Sequence, residues 1–184
     1  LSLSQPLAVG MVGKGEYFDL ELKKKIKTAD IKKRLNNSLP SPLKIKEVKY
    51  VPQDIKSLQA VVDIAVYKIN FRNNIKEYEA NNIINDFLSN DKIEILRKRR
   101  KKEDRILDLK PMIYDIKFKG ESILEFTVNT GSSGNVRPSE LIRAFAERYE
   151  KFSEVPLVNV VREGLFVRKD DKLFKPFAKR IVRS

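Results

Sequence analysis

The chain has 184 residues, 41% hydrophobic and 34% charged, with a formal net charge of +13. That length and apolar fraction suffice to bury a core, as one domain or two small ones. It contains no cysteine and no histidine, which excludes disulfides, thiolate nucleophiles, cysteine-ligated iron–sulfur clusters, the usual zinc sites and all serine–histidine or cysteine–histidine dyads.

Residues 1–4 and 7–11 read as an extended segment interrupted by Pro6. The segment has no basic start and carries Pro6 and Gly10, so it does not read as a signal peptide. A chain opening at Leu1 in a strand-like pattern suggests that natural residues precede it. Residues 16–22 alternate, with Phe18, Leu20 and Leu22 on one face and Tyr17, Asp19 and Glu21 on the other, which predicts a half-buried strand after the turn at Gly13 and Gly15. Thr28 is a suitable N-cap for a helix carrying Ile31, Leu35 and Leu39, which ends near Ser38 because Pro40 and Pro42 cannot continue it. Residues 43–51 read as a strand, so the opening part reads β-β-α-β.

A linker at 52–62, with a short helix at 57–62, leads to a strand at 63–71 and a helix at 75–89. A short strand at 92–96 runs into six consecutive cations expected to form a solvated loop or hairpin tip. Asp108 to Pro111 reads as a turn. Met112, Tyr114, Ile116 and Phe118 alternate along the next strand, and Leu124, Phe126 and Val128 along its neighbour. A glycine-containing loop at 131–138, a helix through Leu141, Ile142, Phe145 and Tyr149, and closing strands at 157–161 and 165–167 follow. The fold class is therefore α+β. A ferredoxin-like β-α-β-β-α-β unit with an extra strand or hairpin spans 63–168, and the partial unit at 1–51 looks like a tandem copy truncated at its N-terminus. Residues 169–184 form a basic tail or added arm. No apolar run approaches the roughly 20 residues of a spanning helix, so a cytoplasmic protein with no membrane partner is expected.

The positive charge is clustered. Residues 23–34 carry seven basic and one acidic residue, residues 92–105 eight and three, and residues 168–184 seven and two. The rest of the chain is slightly acidic, and such clustering favours a polyanionic partner. The candidate nucleic-acid contacts are Arg97, Lys98, Arg99, Arg100, Lys101, Lys102 and Lys110, with a merely solvated loop as the alternative for the run. Residues 23–34 read as a solvated helix edge. Phe174, Phe177 and Ile181 in the tail either dock back on the domain or contact RNA.

The loop Gly131-Ser132-Ser133-Gly134-Asn135-Val136-Arg137-Pro138 runs from a strand into a helix. Its glycines permit positive φ, Pro138 suits the first helical position, and the helix end favours an anion that Arg137 could grip. Gly131, Ser132, Ser133, Gly134, Asn135 and Arg137 are the candidate anion loop, unless the glycines serve backbone geometry alone. It is neither a Walker loop nor a dinucleotide fingerprint. Glu16, Asp19 and Asp108 lack a convergent partner and read as structural, so no catalytic residue and no metal site is assigned.

Leu1-Ser2-Leu3 with Pro6-Leu7-Ala8-Val9-Gly10, Gly15-Glu16-Tyr17-Phe18-Asp19-Leu20-Glu21-Leu22, Asp108-Leu109-Lys110-Pro111 and Gly134-Asn135-Val136-Arg137-Pro138-Ser139-Glu140-Leu141-Ile142-Arg143-Ala144 together resemble the bacterial radical-SAM-linked proteins, over about residues 1–165. The resemblance implies a radical-SAM partner that supplies the iron–sulfur cluster and S-adenosylmethionine, with no cofactor in this chain. The family's upstream His-Leu-Asp motif and Gly-Phe-Asn-Pro turn are absent, so residues located there have no counterpart. That upstream part is similar to the RAMP group of CRISPR RNA-binding proteins, with paired ferredoxin-like folds. Lys110 stands where the family commonly has Arg, which keeps the charge but loses a bidentate grip. The combined expectation is a non-catalytic RNA-binding accessory module in RNA modification or processing. The alternative is a protein–protein adaptor docking on the radical-SAM enzyme without nucleic acid. A ribonuclease relying on Lys110 or Tyr17 is a weaker third.

Overall fold

A computed structural model describes residues 1–178 except 53, 72–74, 100–102, 133 and 153–158. In chain order the elements are β1 (Ser2–Leu3), β2 (Val12–Gly13), β3 (Phe18–Asp19), α1 (Thr28–Ser38), α2 (Leu58–Val61), β4 (Ile64–Asn70), α3 (Glu77–Ser89), β5 (Glu94–Arg97), β6 (Arg105–Asp108), β7 (Ile113–Lys119), β8 (Ile123–Asn129), α4 (Pro138–Ala146), β9 (Val160–Lys169) and β10 (Lys172–Phe174). Among the described residues no helix is long and apolar enough to cross a membrane.

Alternation of apolar side chains builds the main sheet, in the order β10-β9-β4-β8-β7 with antiparallel neighbours. Ala65, Tyr67 and Ile69 of β4 and Leu124, Phe126 and Val128 of β8 all enter one core with Ile84 and Phe87 of α3 and Leu141 and Phe145 of α4. Phe87 and Phe145 stack at 3.9 Å between centroids, and Phe152 joins Phe145 at 5.1 Å and Phe71 at 5.0 Å. Burial of each such ring contributes roughly 1.5–3 kcal/mol. The fold is mixed α+β, and from Ile64 to Lys169 it follows the ferredoxin-like element order. The anticipated extra element is the hairpin β5–β6, inserted between α3 and β7.

Several elements differ from the sequence reading. The alternating stretch 16–22 forms a ladder only through Phe18 and Asp19, paired with β1. Thr28 is the first helical residue of α1, after Lys27, and not its cap. The strand expected at 43–51 is absent from the described structure. There, side chains of α1 take the place of a neighbouring strand. The Asn36 amide exchanges two hydrogen bonds with the Ile45 backbone, at 2.7 and 3.2 Å, and Lys32 Nζ donates to Lys46 O at 2.7 Å. The closing strands merge into the single β9, whose pairing with β4 shifts register beside Gly164; residues 157 and 158 of the expected strand lie outside the described residues. The tail begins as β10 against β9, and its Phe177 meets Tyr17 edge-on at 5.2 Å.

Candidate nucleic-acid interface

The sheet face away from the helices carries a ladder of alternating charge. Lys14 reaches Glu163 (2.8 Å), Glu163 reaches Lys68 (3.6 Å), Lys68 reaches Glu125 (3.5 Å), Glu125 reaches Lys117 (3.6 Å) and Lys117 reaches Asp115 (2.7 Å). The hydrogen bond from Lys14 and the charge of Lys68 hold the Glu163 carboxyl below its ordinary range against the opposing effect of burial. Three cations and three anions leave no excess charge to attract phosphate. Arg168 lies over the Tyr114 ring at 4.4 Å.

The hairpin and the glycine loop are brought together by Arg97. Arg97 ends β5 and turns inward, with Nε and Nη2 each 2.6 Å from the Glu140 carboxylate and Nη2 2.5 Å from the Asn135 carbonyl. Glu140, only 7% exposed along its side chain, also accepts the Arg137 backbone N–H at 3.0 Å. The first turn of α4 therefore receives its negative charge from within the chain. Arg97 thus belongs to the base of the hairpin and not to its tip. Lys98 and Arg99 are exposed, while Arg100, Lys101 and Lys102 lie outside the described residues. Lys110 is half-buried, and its ammonium donates to the Asn90 carbonyl. Asp108 accepts the N–H groups of Ile93 (2.9 Å) and Lys110 (3.0 Å), closing the expected turn.

In the glycine loop itself, Gly131 has φ of +90°, and a Cβ there would come within 2.7 Å of the Val62 carbonyl. Gly134 packs against Met112 in the same manner. Both positions demand glycine for backbone shape and close approach. Asn135 Oδ1 accepts from Thr130 at 3.4 Å; Ser132, Asn135 and Arg137 are exposed, and Ser133 lies outside the described residues.

Sequence reading missed Arg162. It sits in β9 opposite Tyr67, 1% exposed, and grips both oxygens of Glu16, with Nε at 2.8 Å. Its remaining N–H groups donate to the carbonyls of Gln5 (2.9 Å) and Pro6 (3.3 Å). Burial opposes the guanidinium charge, but the bonds to Glu16 and the neighbouring Tyr67 outweigh it and raise the pKa. The available signal was Arg162 at an inward position of the strand, in alternation with Val160 and beside the outward Glu163.

A cleft of about 750 Å³ opens between β3, α1, the extended segment 48–52, α2 and the C-terminal Pro176 and Phe177. Leu20, Ile31, Tyr50, Leu58 and Phe177 supply apolar lining, and Lys24, Lys25, Lys49 and Lys56 supply cations against Asp19 and Glu21. Asp19 accepts the Leu58 N–H at 3.3 Å, and Lys49 pairs with Glu47 at 3.0 Å. Lys24, Lys25 and Lys56 have no ion pair among the described residues. Two of the three basic segments, around Lys24 and around Phe177, thus border one depression. Among the described residues no three acidic side chains gather as a metal site would require.

These features define a mixed α+β protein whose helix-backed antiparallel sheet carries a basic cleft at its side. The chain belongs to the family described as "uncharacterized protein conserved in bacteria" (DUF2344), whose family model matches residues 1–138. That match spans the motifs around Glu16 and Lys110 and the glycine loop, and it ends at the first residue of α4. No curated protein and no solved structure matches the chain.

Proposed function

We propose that the protein is a non-catalytic RNA-binding accessory module that works with a radical-SAM partner in RNA modification or processing in the cytoplasm. The observation that carries the RNA part is the cleft, where Lys24 and Lys25 of one basic segment meet Phe177 of another. Cations beside the half-buried Phe177 ring and the exposed Tyr50 ring match the two needs of RNA recognition, phosphate neutralisation and base stacking. The neutral ladder across Glu163, Lys68 and Glu125 places the excess charge away from the sheet face. The partner, holding the iron–sulfur cluster and S-adenosylmethionine, is what the motif resemblance implies; the chain has no cysteine with which to ligate a cluster itself.

Titration of total cellular RNA at increasing salt tests this reading. Binding should weaken with a log–log slope of about 0.7 per single-strand phosphate contacted. Absence of binding at low salt would remove it. A second reading, an adaptor docking on the radical-SAM enzyme without nucleic acid, is favoured by the exposed apolar side chains Leu1, Leu3, Val9 and Val12. Co-purification with a radical-SAM protein in the absence of RNA binding would select it.

A further inference from the structure

We infer that the cleft holds a single-stranded segment of RNA, with a base against Tyr50 and phosphates on Lys24, Lys25 and Lys56; this rests on the RNA-binding reading above. Tyr50 is the central observation. Its hydroxyl donates to the Ile26 carbonyl at 2.6 Å and accepts the Ile26 N–H at 2.9 Å, which fixes the ring. The residue is nevertheless 48% exposed and lines the cleft. An aromatic surface that is already immobilised loses little further entropy when a base stacks on it. Phe177 offers a second ring, steadied by Tyr17 and with the Lys49 ammonium 5.8 Å above it.

The charges are disposed for the backbone of the same strand. Lys24, Lys25 and Lys56 are uncommitted among the described residues, so they can pair with phosphate without breaking an internal bridge. The two carboxylates in the lining, Asp19 and Glu21, face the lysines Lys24, Lys25, Lys49 and Lys56, and Asp19 also accepts the Leu58 backbone N–H. A volume of about 750 Å³ lies within the roughly 300–1,000 Å³ of small-ligand sites, enough to enclose bases but not a helix. A duplex keeps its base faces stacked internally, and only an unpaired strand can present one to Tyr50.

The test is fluorescence anisotropy with a labelled oligouridylate of about twelve nucleotides, within the span of single-strand sites, against a duplex of equal length. The protein should prefer the single strand. Tyr50→Leu should weaken it by about 5- to 150-fold, the range of one lost stack. Tyr50→Phe loses the hydroxyl clamp but keeps the ring, and should retain most of the affinity, which separates stacking from distortion of the cleft. Lys24→Gln with Lys25→Gln should flatten the salt slope by about 1.4. If the duplex binds as well as the single strand, or Tyr50→Leu changes nothing, the inference fails while RNA binding stands. If neither nucleic acid binds at low salt, both fail. A polyglutamate peptide binding as tightly as the oligouridylate would give the cleft to an acidic protein instead.

Discussion

Arg162 and Glu16 are 146 positions apart in the chain, yet their side chains form a two-pronged ion pair beneath the N-terminal segment. Gln5 and Pro6 complete the guanidinium's coordination through their carbonyls. The pair fastens the first strands and the Gly15-Glu16-Tyr17 motif to the edge of the main sheet, where β2 also runs parallel to β9. Glu16→Ala would leave a buried cation without its counter-charge, an expected loss of about 3–5 kcal/mol. Arg162→Met should be milder, because Glu16 retains 33% side-chain exposure and can be solvated. Urea denaturation of the two single variants and the double variant checks the asymmetry; equal losses would contradict it.

Arg97 and Glu140 make the second internal lock, joining the hairpin to α4. Glu140→Gln removes the charge that serves both Arg97 and the first turn of the helix, with side-chain exposures of 15% and 7%. A loss of roughly 3 kcal/mol is expected, together with faster hydrogen exchange in β5 and β6. The variant should then gain more thermal stability in phosphate buffer than the wild type does, because an external anion can replace the lost carboxylate. An identical phosphate response in both would show that Glu140 does not fill this place.

Gly131 makes a narrower demand. Its φ of +90° and the 2.7 Å approach of an added Cβ to the Val62 carbonyl make Gly131→Ala costly, by about 1–3 kcal/mol. Thermal unfolding measures this directly.

The contrast between these sites shows what the sequence could convey. Alternation at Leu124, Phe126 and Val128, and the Pro138 start of a helix carrying Leu141 and Phe145, are local signals. The main sheet and α4 were therefore legible. Residues 43–51 also read as a strand, but a local pattern does not reveal whether another strand is available to pair with; Asn36 and Lys32 bind that backbone instead. Arg162 was hidden because its partner lies so far away in sequence. The cleft was hidden for the same reason, being assembled from positions between Asp19 and Phe177. Clustered lysines were visible in the sequence, but the geometry that sets some of them beside an anchored tyrosine was not.

The charge ladder gives the protein a defined acid response. Lys14, first by its hydrogen bond and then with Lys68 by charge, depresses the Glu163 pKa below the ordinary 4.5. A carboxylate with a lowered folded-state pKa contributes stability that is fully present above its unfolded value and is lost as pH falls through the folded one. Glu163→Gln should therefore destabilise the protein near neutral pH, by up to about 1 kcal/mol for so partly exposed a group. The gap to wild type should close as the pH falls below 4.5, because protonated Glu163 no longer pairs with either lysine. Unfolding free energies measured from pH 7 down to about pH 3, spanning the carboxylate range, would show the two curves converging. Curves that stay parallel would mean that the Lys14 and Lys68 contacts do not stabilise the folded state through the charge of Glu163.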